Sequence, residues 1–369
     1  MAEKVRIGII STSWWAEMML LPTLKSHTSA DVVAVCGRNR ERASEIAKNY
    51  DVPNVFSDYK EMIDKGELQA VVVAPPDDLH YPMTMYALDA GLHIFGEKPL
   101  AMNAKQAREM YEKAESVGVK HMTHFTWRWL PIYQYVRKLI DDGYIGKFFQ
   151  CYMNFLSGLE RDPNYRWRFD KKRSNGAICD YGAHMFDLAR MLYGDVAKVS
   201  ANLCCFIDRK DIDGQPCEAG NDSAIVAIQF ENGAQGLIQL SEVVHMGDRV
   251  ATQKVILLGD SGTLEVDHSF ARVFDPNAIH GSEIRGTRNG ENKFETLSVP
   301  DEFYGEAGRE SLLAPYFQQS IGVRHFIDSI INDKPATTSF YDGWKVQQVI
   351  DAAIESHNNN RWIGINEFS

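Results

Sequence analysis

The first third of the chain alternates short apolar runs with segments of helical periodicity. Five runs rich in β-branched residues are expected to be strands: Val5–Ile10, Ala30–Cys36, 70–74, 92–95 and 119–125. Between them, segments such as 40–50 and 104–117 repeat apolar residues at helical spacing. Strands that are apolar on both faces and alternate with amphipathic helices are typical of a parallel sheet covered on both sides. The pattern therefore predicts an α/β fold that begins with a doubly wound α/β domain.

The pattern changes after Pro131. Helices are expected over 132–141, 181–192, 312–332 and 342–357, and strands over 148–155, 199–207, 224–230, 234–241, 254–259 and 262–266. Turn signals such as Glu231-Asn232-Gly233 join several of these strands, which indicates a meandering sheet. We therefore predict a doubly wound α/β domain over 1–126, followed by an α+β domain with a mostly antiparallel sheet over 127–369.

Composition and charge narrow the possible partners. The 369 residues are 44% hydrophobic and 24% charged, as in an ordinary globular protein, and the net charge of -11 disfavours nucleic acid and anionic membranes. No run approaches the roughly 18 apolar residues of a membrane span, and the first residues do not resemble a signal peptide. The six cysteines form no C-x-x-C pair, so they are expected to be reduced packing residues. These features predict a cytoplasmic protein that binds neither nucleic acid nor membrane.

The turn after the first strand occupies the position of a dinucleotide-binding fingerprint. It runs from Gly8 to Ala16 and has Ser11 and Ser13 where glycines are expected. If the backbone there were left-handed, each serine Cβ would cost about 1–2 kcal/mol, although the hydroxyls could donate to phosphate oxygens. The alternative is an ordinary strand-to-helix turn that binds nothing.

The end of the second strand bears on the choice of cofactor. Cys36 and Gly37 are followed by Arg38 and Asn39, without the acidic residue that usually binds the adenosine ribose in NAD enzymes. An arginine at this position favours NADP(H) over NAD(H). Alternatively, Arg38 belongs to the solvated start of a helix.

Two further turns and one helix contain candidate catalytic or ligand-binding residues. Glu97-Lys98-Pro99 follows the strand at 92–95, and Pro75-Pro76 leads to His80 after the strand at 70–74. Both turns therefore lie at the carboxyl edge of the predicted parallel sheet, where such folds bind ligands. Asp180, His184 and Asp187 have helical spacing and share one face of the second predicted helix in the C-terminal domain.

The chain resembles the Gfo/Idh/MocA family of nicotinamide-dependent oxidoreductases in four motifs: the first turn, P-x-x-x-H, E-K-P and D-x-G-x-H-x-x-D. The match covers both domains in the expected order. The resemblance implies that 1–126 is a Rossmann dinucleotide-binding domain. It also implies that 127–369 is an α+β domain for substrate binding and oligomerisation, with a large, mostly antiparallel open sheet that often forms an oligomer interface, and that the site lies between the two domains. It implies that Lys98, Asp180 and His184 are catalytic. The residues expected to bind the cofactor are Ser11, Thr12, Ser13, Trp14, Trp15, Arg38, Asn39, Pro75, Pro76, His80, Glu97 and Lys98. A homodimer or homotetramer formed through the C-terminal sheet is expected.

The three catalytic candidates also make chemical sense without the family. A neutral imidazole with an ordinary pKa of about 6.5 suits His184 as general base for a hydroxyl proton. Lys98 would stabilise the negative charge that develops on oxygen, and Asp180 would bind a neighbouring hydroxyl or orient the imidazole. Asp180, His184 and Asp187 could instead ligate a metal, but no metal is expected. The pair His121 and His124 is interpreted as structural, because alternation on a strand points them to opposite faces.

Two clusters of aromatic and arginine residues are candidates for a polyol pocket, in which rings pack on sugar C–H groups and guanidinium groups bind hydroxyls. The expected substrate-binding residues are Trp127, Arg128, Tyr165, Trp167 and Arg168, with Lys98, Asp180 and His184. Packing in the core or at an interface is the alternative for each tryptophan.

The sequence thus predicts an NAD(P)-dependent dehydrogenase or reductase that acts on a ring hydroxyl or ketone of a sugar, cyclitol or glycoside. One alternative is a glycosidase or epimerase that oxidises its substrate transiently with tightly bound NAD. Another is a non-catalytic sugar-sensing regulator of the same fold. The pairing of Lys98 with His184 argues against the regulator, and the serines at 11 and 13 argue for it.

Overall fold

The computed structural model of the chain describes residues 4–216, 218–271, 281–308 and 319–368, of which 306 and 307 are described without their side chains. The described residues fall into two compact units. One is drawn from Met1–Trp129 and Leu313–Trp344, and the other from Leu130–Leu312 and Lys345–Ser369. The division into functional domains at residues 126 and 127 stays a prediction.

The first unit contains a six-stranded parallel sheet. Its strands are β1 Val5–Ile10, β2 Ala30–Cys36, β3 Asn54–Phe56, β4 Ala70–Val73, β5 His93–Glu97 and β6 His121–His124. The order across the sheet, β3-β2-β1-β4-β5-β6, is that of a doubly wound dinucleotide-binding fold, so the predicted Rossmann domain is confirmed. In this order the topological switch point lies between β1 and β4.

The helices of this unit have local start and stop signals. Their bounds are α1 Leu21–Ser26, α2 Arg40–Asn49, α3 Tyr59–Lys65, α4 His80–Asp89, α5 Ala104–Val117 and α8 Ile321–Ile331, with a π-helical turn at Ala16–Leu20 before α1. In α5, for example, the Asn103 side chain caps the first turn by accepting from the Gln106 N–H, and Gly118 ends the helix in a left-handed conformation. Small apolar residues of these helices, such as Ala43 and Ala107, are buried in the core.

The second unit contains a nine-stranded sheet. Its strands are β7 Phe148–Ser157, β8 Val196–Cys204, β9 Ser223–Phe230, β10 Gln235–Ser241, β11 Ala251–Gly259, β12 Gly262–Ser269, β13 Ser282–Arg288, β14 Glu295–Thr296 and β15 Ile363–Gly364. The order is β14-β13-β12-β11-β7-β10-β9-β8-β15, and only the pairing of β7 with β10 is parallel. The predicted, mostly antiparallel sheet is therefore confirmed. Helix α7, Ala177–Tyr193, packs against β7, β9 and β10.

Two more helices complete the described chain, α6 Pro131–Asp141 and α9 Phe340–Asn359. Within the helix predicted over 312–332, residues 312–318 lie outside the described part, and α8 covers most of the remainder. The sequence did not predict β3 or β13–β15, of which β3, β14 and β15 are too short to show a clear alternation. No helix in the described ranges is long and apolar enough to cross a membrane.

Candidate active site

The turn after β1 is built around two serine hydroxyls. Ser11 Oγ accepts the Ser13 N–H at 3.2 Å and lies 2.9 Å from Ser13 Oγ. Ser13 Oγ in turn accepts the Ala16 N–H at 3.2 Å, so this serine caps the helical turn that follows. Neither serine has a positive φ. The left-handed backbone considered for these positions is therefore not adopted, and the serines carry no strain of that kind.

The residues around this turn remain accessible at the carboxyl edge of the sheet. Trp14 is 57% exposed, Ser13 is exposed, and Thr12 is half-buried. A Cβ on Gly37, at the end of β2, would overlap the Thr12 side chain, so the close approach of these two turns requires glycine there. An accessible turn at the start of a helix, packed tightly against the next strand end, fits a dinucleotide phosphate.

The tip of β2 presents Arg38 and Asn39 to solvent. Asn39 caps α2, because its Oδ1 accepts the Arg42 N–H at 3.0 Å. Arg42 forms ion pairs with Glu17 and with Glu45. Arg38 and Arg40 are both exposed near this tip, as a 2′-phosphate ligand would need to be, and Arg38 is the one that directly follows the end of β2.

His80 connects the two proline turns. Its ring nitrogens Nδ1 and Nε2 lie 2.8 Å from the Pro99 carbonyl oxygen and 2.9 Å from the Pro75 carbonyl oxygen. The imidazole is 2% exposed. His80 therefore joins the loop after β4 to the loop after β5, and half-buried Pro75 and Pro76 line the first of these loops.

Glu97 forms the centre of a hydrogen-bond network below Lys98. Its Oε1 accepts from Trp15 Nε1 and from His124 Nδ1, each at 2.7 Å, and its Oε2 accepts the Lys98 N–H at 3.3 Å. Burial of Glu97 opposes its ionisation, but the attraction of His124 and the hydrogen bonds from His124 and Trp15 outweigh burial, so its pKa lies below the usual range. Lys98 itself is half-buried.

Sequence reasoning did not connect His124 with this network. The interpretation of the pair at 121 and 124 as structural rested on strand alternation, which says nothing of a partner from another strand. His124 is fully buried at the end of β6, and its register places it beside Glu97 on β5. The signal that could have found it is that both residues end neighbouring strands at the same edge.

In the second unit, helix α7 holds Asp180 and His184 one turn apart, as their spacing predicts. Its N-terminus is anchored from outside the helix: Asn221 accepts the Ala177 N–H through its backbone oxygen at 2.8 Å and the Ile178 N–H through Oδ1 at 3.0 Å. Gly176 starts the helix with φ 70° and ψ -146°. Sequence reasoning missed Asn221, which lies far along the chain and has no motif.

Asp180 belongs to a cluster of arginine and carboxylate side chains. Arg168 Nε lies 3.1 Å from Asp180 Oδ2, and the Arg168 guanidinium lies over the Trp167 ring at 4.7 Å. Arg166 Nε lies 2.7 Å from Glu160 Oε2, yet burial raises the pKa of Glu160. Each of these guanidinium groups is thus paired with a carboxylate. The Asp180 side chain is 19% exposed, whereas His184 is 6% exposed.

The other predicted substrate residues are placed as follows. The Tyr165 hydroxyl donates to Asp170 Oδ2 at 3.2 Å in the second unit. Trp127 is 4% exposed in the first unit, where Arg128 Nη2 lies 3.5 Å from Asp342 Oδ1. Among the described residues, no group of three His, Cys, Asp or Glu side chains could hold a metal ion.

Comparison with known proteins agrees with this arrangement. The model of the Gfo/Idh/MocA oxidoreductase family with an NAD-binding Rossmann fold matches residues 5–125, and that of its C-terminal alpha/beta domain matches 137–365. Levoglucosan dehydrogenase of Pseudarthrobacter phenanthrenivorans is 27% identical, covering 90% of this chain and 88% of its own. The scyllo-inositol 2-dehydrogenase (NADP(+)) of Bacillus subtilis is 26% identical, covering 80% and 83%. A structure of levoglucosan dehydrogenase with NADH and levoglucosan shares the fold at a TM-score of 0.87 and 24% identity, covering 98% and 100%.

Proposed function

Because the chain belongs to the Gfo/Idh/MocA oxidoreductase family, we propose that it transfers hydride between a nicotinamide cofactor and a ring secondary alcohol or ketone of a sugar, cyclitol or glycoside. The observation that carries this proposal is the pair of a rigidly held Lys98 at the edge of the Rossmann sheet and an Asp180–His184 pair on α7. Oxidation of an alcohol needs a base for the hydroxyl proton and is favoured by a positive charge near the oxygen, and an imidazole and an ammonium can fill these two roles.

The substrate class is supported by the relatives. Levoglucosan and scyllo-inositol, which appear in their names, are both ring polyols with secondary hydroxyl groups. The Asp180 carboxylate and the Arg168 guanidinium, with the Trp167 ring beside it, suit several adjacent hydroxyls. A ring with neighbouring hydroxyls is therefore the substrate that we assign to the site.

The cofactor would be held by the turn after β1, the tip of β2 and the loops that end in His80 and Lys98. When bound, a nicotinamide supplies the hydride acceptor or donor. NADP(H) is favoured because Arg38 is exposed at the tip while Arg42 is held by two carboxylates. NAD(H) remains the other cofactor of the family, and the preference is part of the proposal.

Each catalytic residue is assigned one task. During oxidation the substrate hydroxyl gives its proton to the His184 imidazole, and the Lys98 ammonium stabilises the negative charge that develops on the oxygen. Asp180, fixed by Arg168, accepts a hydrogen bond from a neighbouring hydroxyl or orients the imidazole. In reduction, the imidazolium returns the proton to the oxygen.

A homodimer or homotetramer through the nine-stranded sheet is part of the proposal. Register places Tyr152, Leu237 and Ala227 side by side on one face of β7, β10 and β9. Ile225 is 53% exposed on this face, and Leu237 is 39% exposed. If a second copy covers it, Ile225→Arg should yield a monomer by light scattering, whereas Ile212→Arg, at an exposed loop position, should not.

Localisation is also proposed rather than demonstrated. Cys36 and Cys151 are buried thiols and Cys205 is an exposed one, which suits the reducing cytoplasm.

The test of the function is a substrate screen. Purified protein is first examined by mass spectrometry for copurified cofactor, then incubated with NAD⁺ or NADP⁺ and a panel of sugars, inositols and glycosides while nicotinamide absorbance is followed. We expect cofactor reduction with at least one ring polyol, with cofactor release after turnover. Retained cofactor with net cleavage or epimerisation would identify transient oxidation instead, and sugar binding without turnover would identify a regulator.

Variants link that activity to the assigned residues. Lys98→Met should lower kcat by about 10²–10³, and His184→Ala should lower it by about 10²–10⁴ and remove the acidic limb of the oxidation rate. Lys105→Met, at an exposed position in α5, is the matched control and should leave kcat unchanged. Near-normal turnover of His184→Ala with an intact acidic limb would place the base elsewhere.

A further inference from the structure

Both sequence neighbours of Lys98 are held by buried side chains. Glu97 Oε1 accepts from Trp15 Nε1 and His124 Nδ1 at 2.7 Å, and the Pro99 carbonyl oxygen lies 2.8 Å from His80 Nδ1. We infer that His80, Glu97 and His124 are positioning residues that fix the Lys98 backbone and thereby place its ammonium group. The inference rests on the proposed role of Lys98.

The chemistry of the donors defines what His124 does. An ionised carboxylate only accepts hydrogen bonds, so the contact with Glu97 requires the proton of His124 on Nδ1. No described residue lies at hydrogen-bond distance from the buried Nε2. The His124 imidazole therefore makes its polar contact with Glu97, and we assign it the role of holding this carboxylate in place.

The network joins three separate pieces of the first unit. Trp15 lies just after the turn that follows β1, Glu97 ends β5, and His124 ends β6. A buried carboxylate whose acceptor sites are satisfied is held in one position, whereas the loss of one donor leaves it poorly solvated. Since Oε2 of the same carboxylate accepts the Lys98 N–H, displacement of Glu97 displaces Lys98 as well.

His121 offers a matched control within the same strand. It is buried like His124, pairs with a carboxylate, Glu115, at 2.8 Å, and accepts the Phe340 N–H on Nδ1 at 3.0 Å. None of its hydrogen-bond partners belongs to residues 97–99. Removal of either imidazole therefore costs a buried histidine that contacts a carboxylate, exposed Glu115 for His121 and buried Glu97 for His124, but only His124 is linked to Lys98.

The first experiment compares three variants by kcat, KM and melting temperature. His124→Leu should lower kcat by about 10- to 100-fold, the loss expected when a catalytic group moves by roughly 1 Å. His124→Asn, whose amide can donate in place of Nδ1, should recover most of kcat. His121→Leu should lower the melting temperature while kcat stays within a factor of about two, because its neighbours do not position a catalytic group. Equal losses of kcat in the two leucine variants would overturn the inference.

The second experiment asks whether the effect passes through Lys98. In a Lys98→Met background, His124→Leu should cause no further loss of kcat, because the group that it positions is gone. Multiplicative losses would show that His124 acts independently and would overturn the inference. Glu97→Gln, which keeps the shape and removes the charge, gives the same test if His124→Leu does not fold.

Amide hydrogen exchange separates this inference from the proposed function. Exchange at Lys98 should be faster in His124→Leu than in the wild type and unchanged in His121→Leu, and this measurement needs neither cofactor nor substrate. Absence of dehydrogenase activity in the wild type would contradict the proposed function alone. Unchanged exchange at Lys98 in His124→Leu would contradict the positioning role alone.

Discussion

The first turn of α7 depends on a glycine that no other residue can replace without strain. Gly176 has φ 70° and ψ -146°, a region that is essentially restricted to glycine, and a Cβ there would overlap the carbonyl oxygen of Asn221. Asn221 is the residue that anchors the start of the helix. Gly176→Ala should therefore both destabilise the protein and move Asp180 and His184.

A second glycine, at the other end of the same helix, provides a control in which backbone strain occurs without a steric overlap. Gly194 also has a positive φ, 96°, but no described atom lies within 4 Å of its Cβ position. Gly194→Ala should cost about 1–3 kcal/mol of stability from backbone strain alone. Gly176→Ala should cost about 1–3 kcal/mol more, the usual penalty for overpacking.

The assay is urea unfolding of both variants combined with kcat at saturating substrate. We expect Gly176→Ala to have the lower urea midpoint and a kcat reduced by up to about 10²-fold, since displacement by roughly 1 Å can cost that much. Gly194→Ala should keep the wild-type kcat, because Asp180 lies at the opposite end of α7. The reasoning would be refuted if the two variants lost equal stability, or if Gly176→Ala kept full activity.

Three further predictions follow from the first unit. Ser13→Ala should lower the free energy of unfolding by about 0.5–2 kcal/mol in urea, because the side-chain cap on the Ala16 N–H is lost. Ser13→Gly should not tighten cofactor binding, since there is no backbone strain to relieve. Tighter binding measured by calorimetry would contradict this. Arg38→Ala should weaken NADP⁺ binding more than NAD⁺ binding, while Arg42→Ala should affect both alike; equal effects of Arg38→Ala would remove it as a phosphate ligand. Because the pKa of Glu97 is depressed in the folded state, its ionisation stabilises the protein above the unfolded pKa, and this contribution is lost as pH falls through the folded value. The stability of Glu97→Gln should therefore depend less on pH across this acidic range than that of the wild type, and parallel pH profiles would contradict the assignment.

The sequence alone determined the elements whose pattern is local. Alternation of apolar runs with helical segments is sufficient to predict β1, β2 and the parallel sheet. A strand that is buried on both faces is a continuous apolar run, and this can be recognised in each strand separately. In the same way, the spacing of Asp180 and His184 places them on one face of α7 whatever surrounds the helix. The family resemblance depended on motifs of this short range.

The tertiary structure decided the contacts between segments that are distant in the chain. Trp15, Glu97 and His124 meet only because the ends of β1, β5 and β6 share one edge of the sheet. Strand order and register determine which side chains become hydrogen-bond partners, and the periodicity of a single segment reveals neither of them.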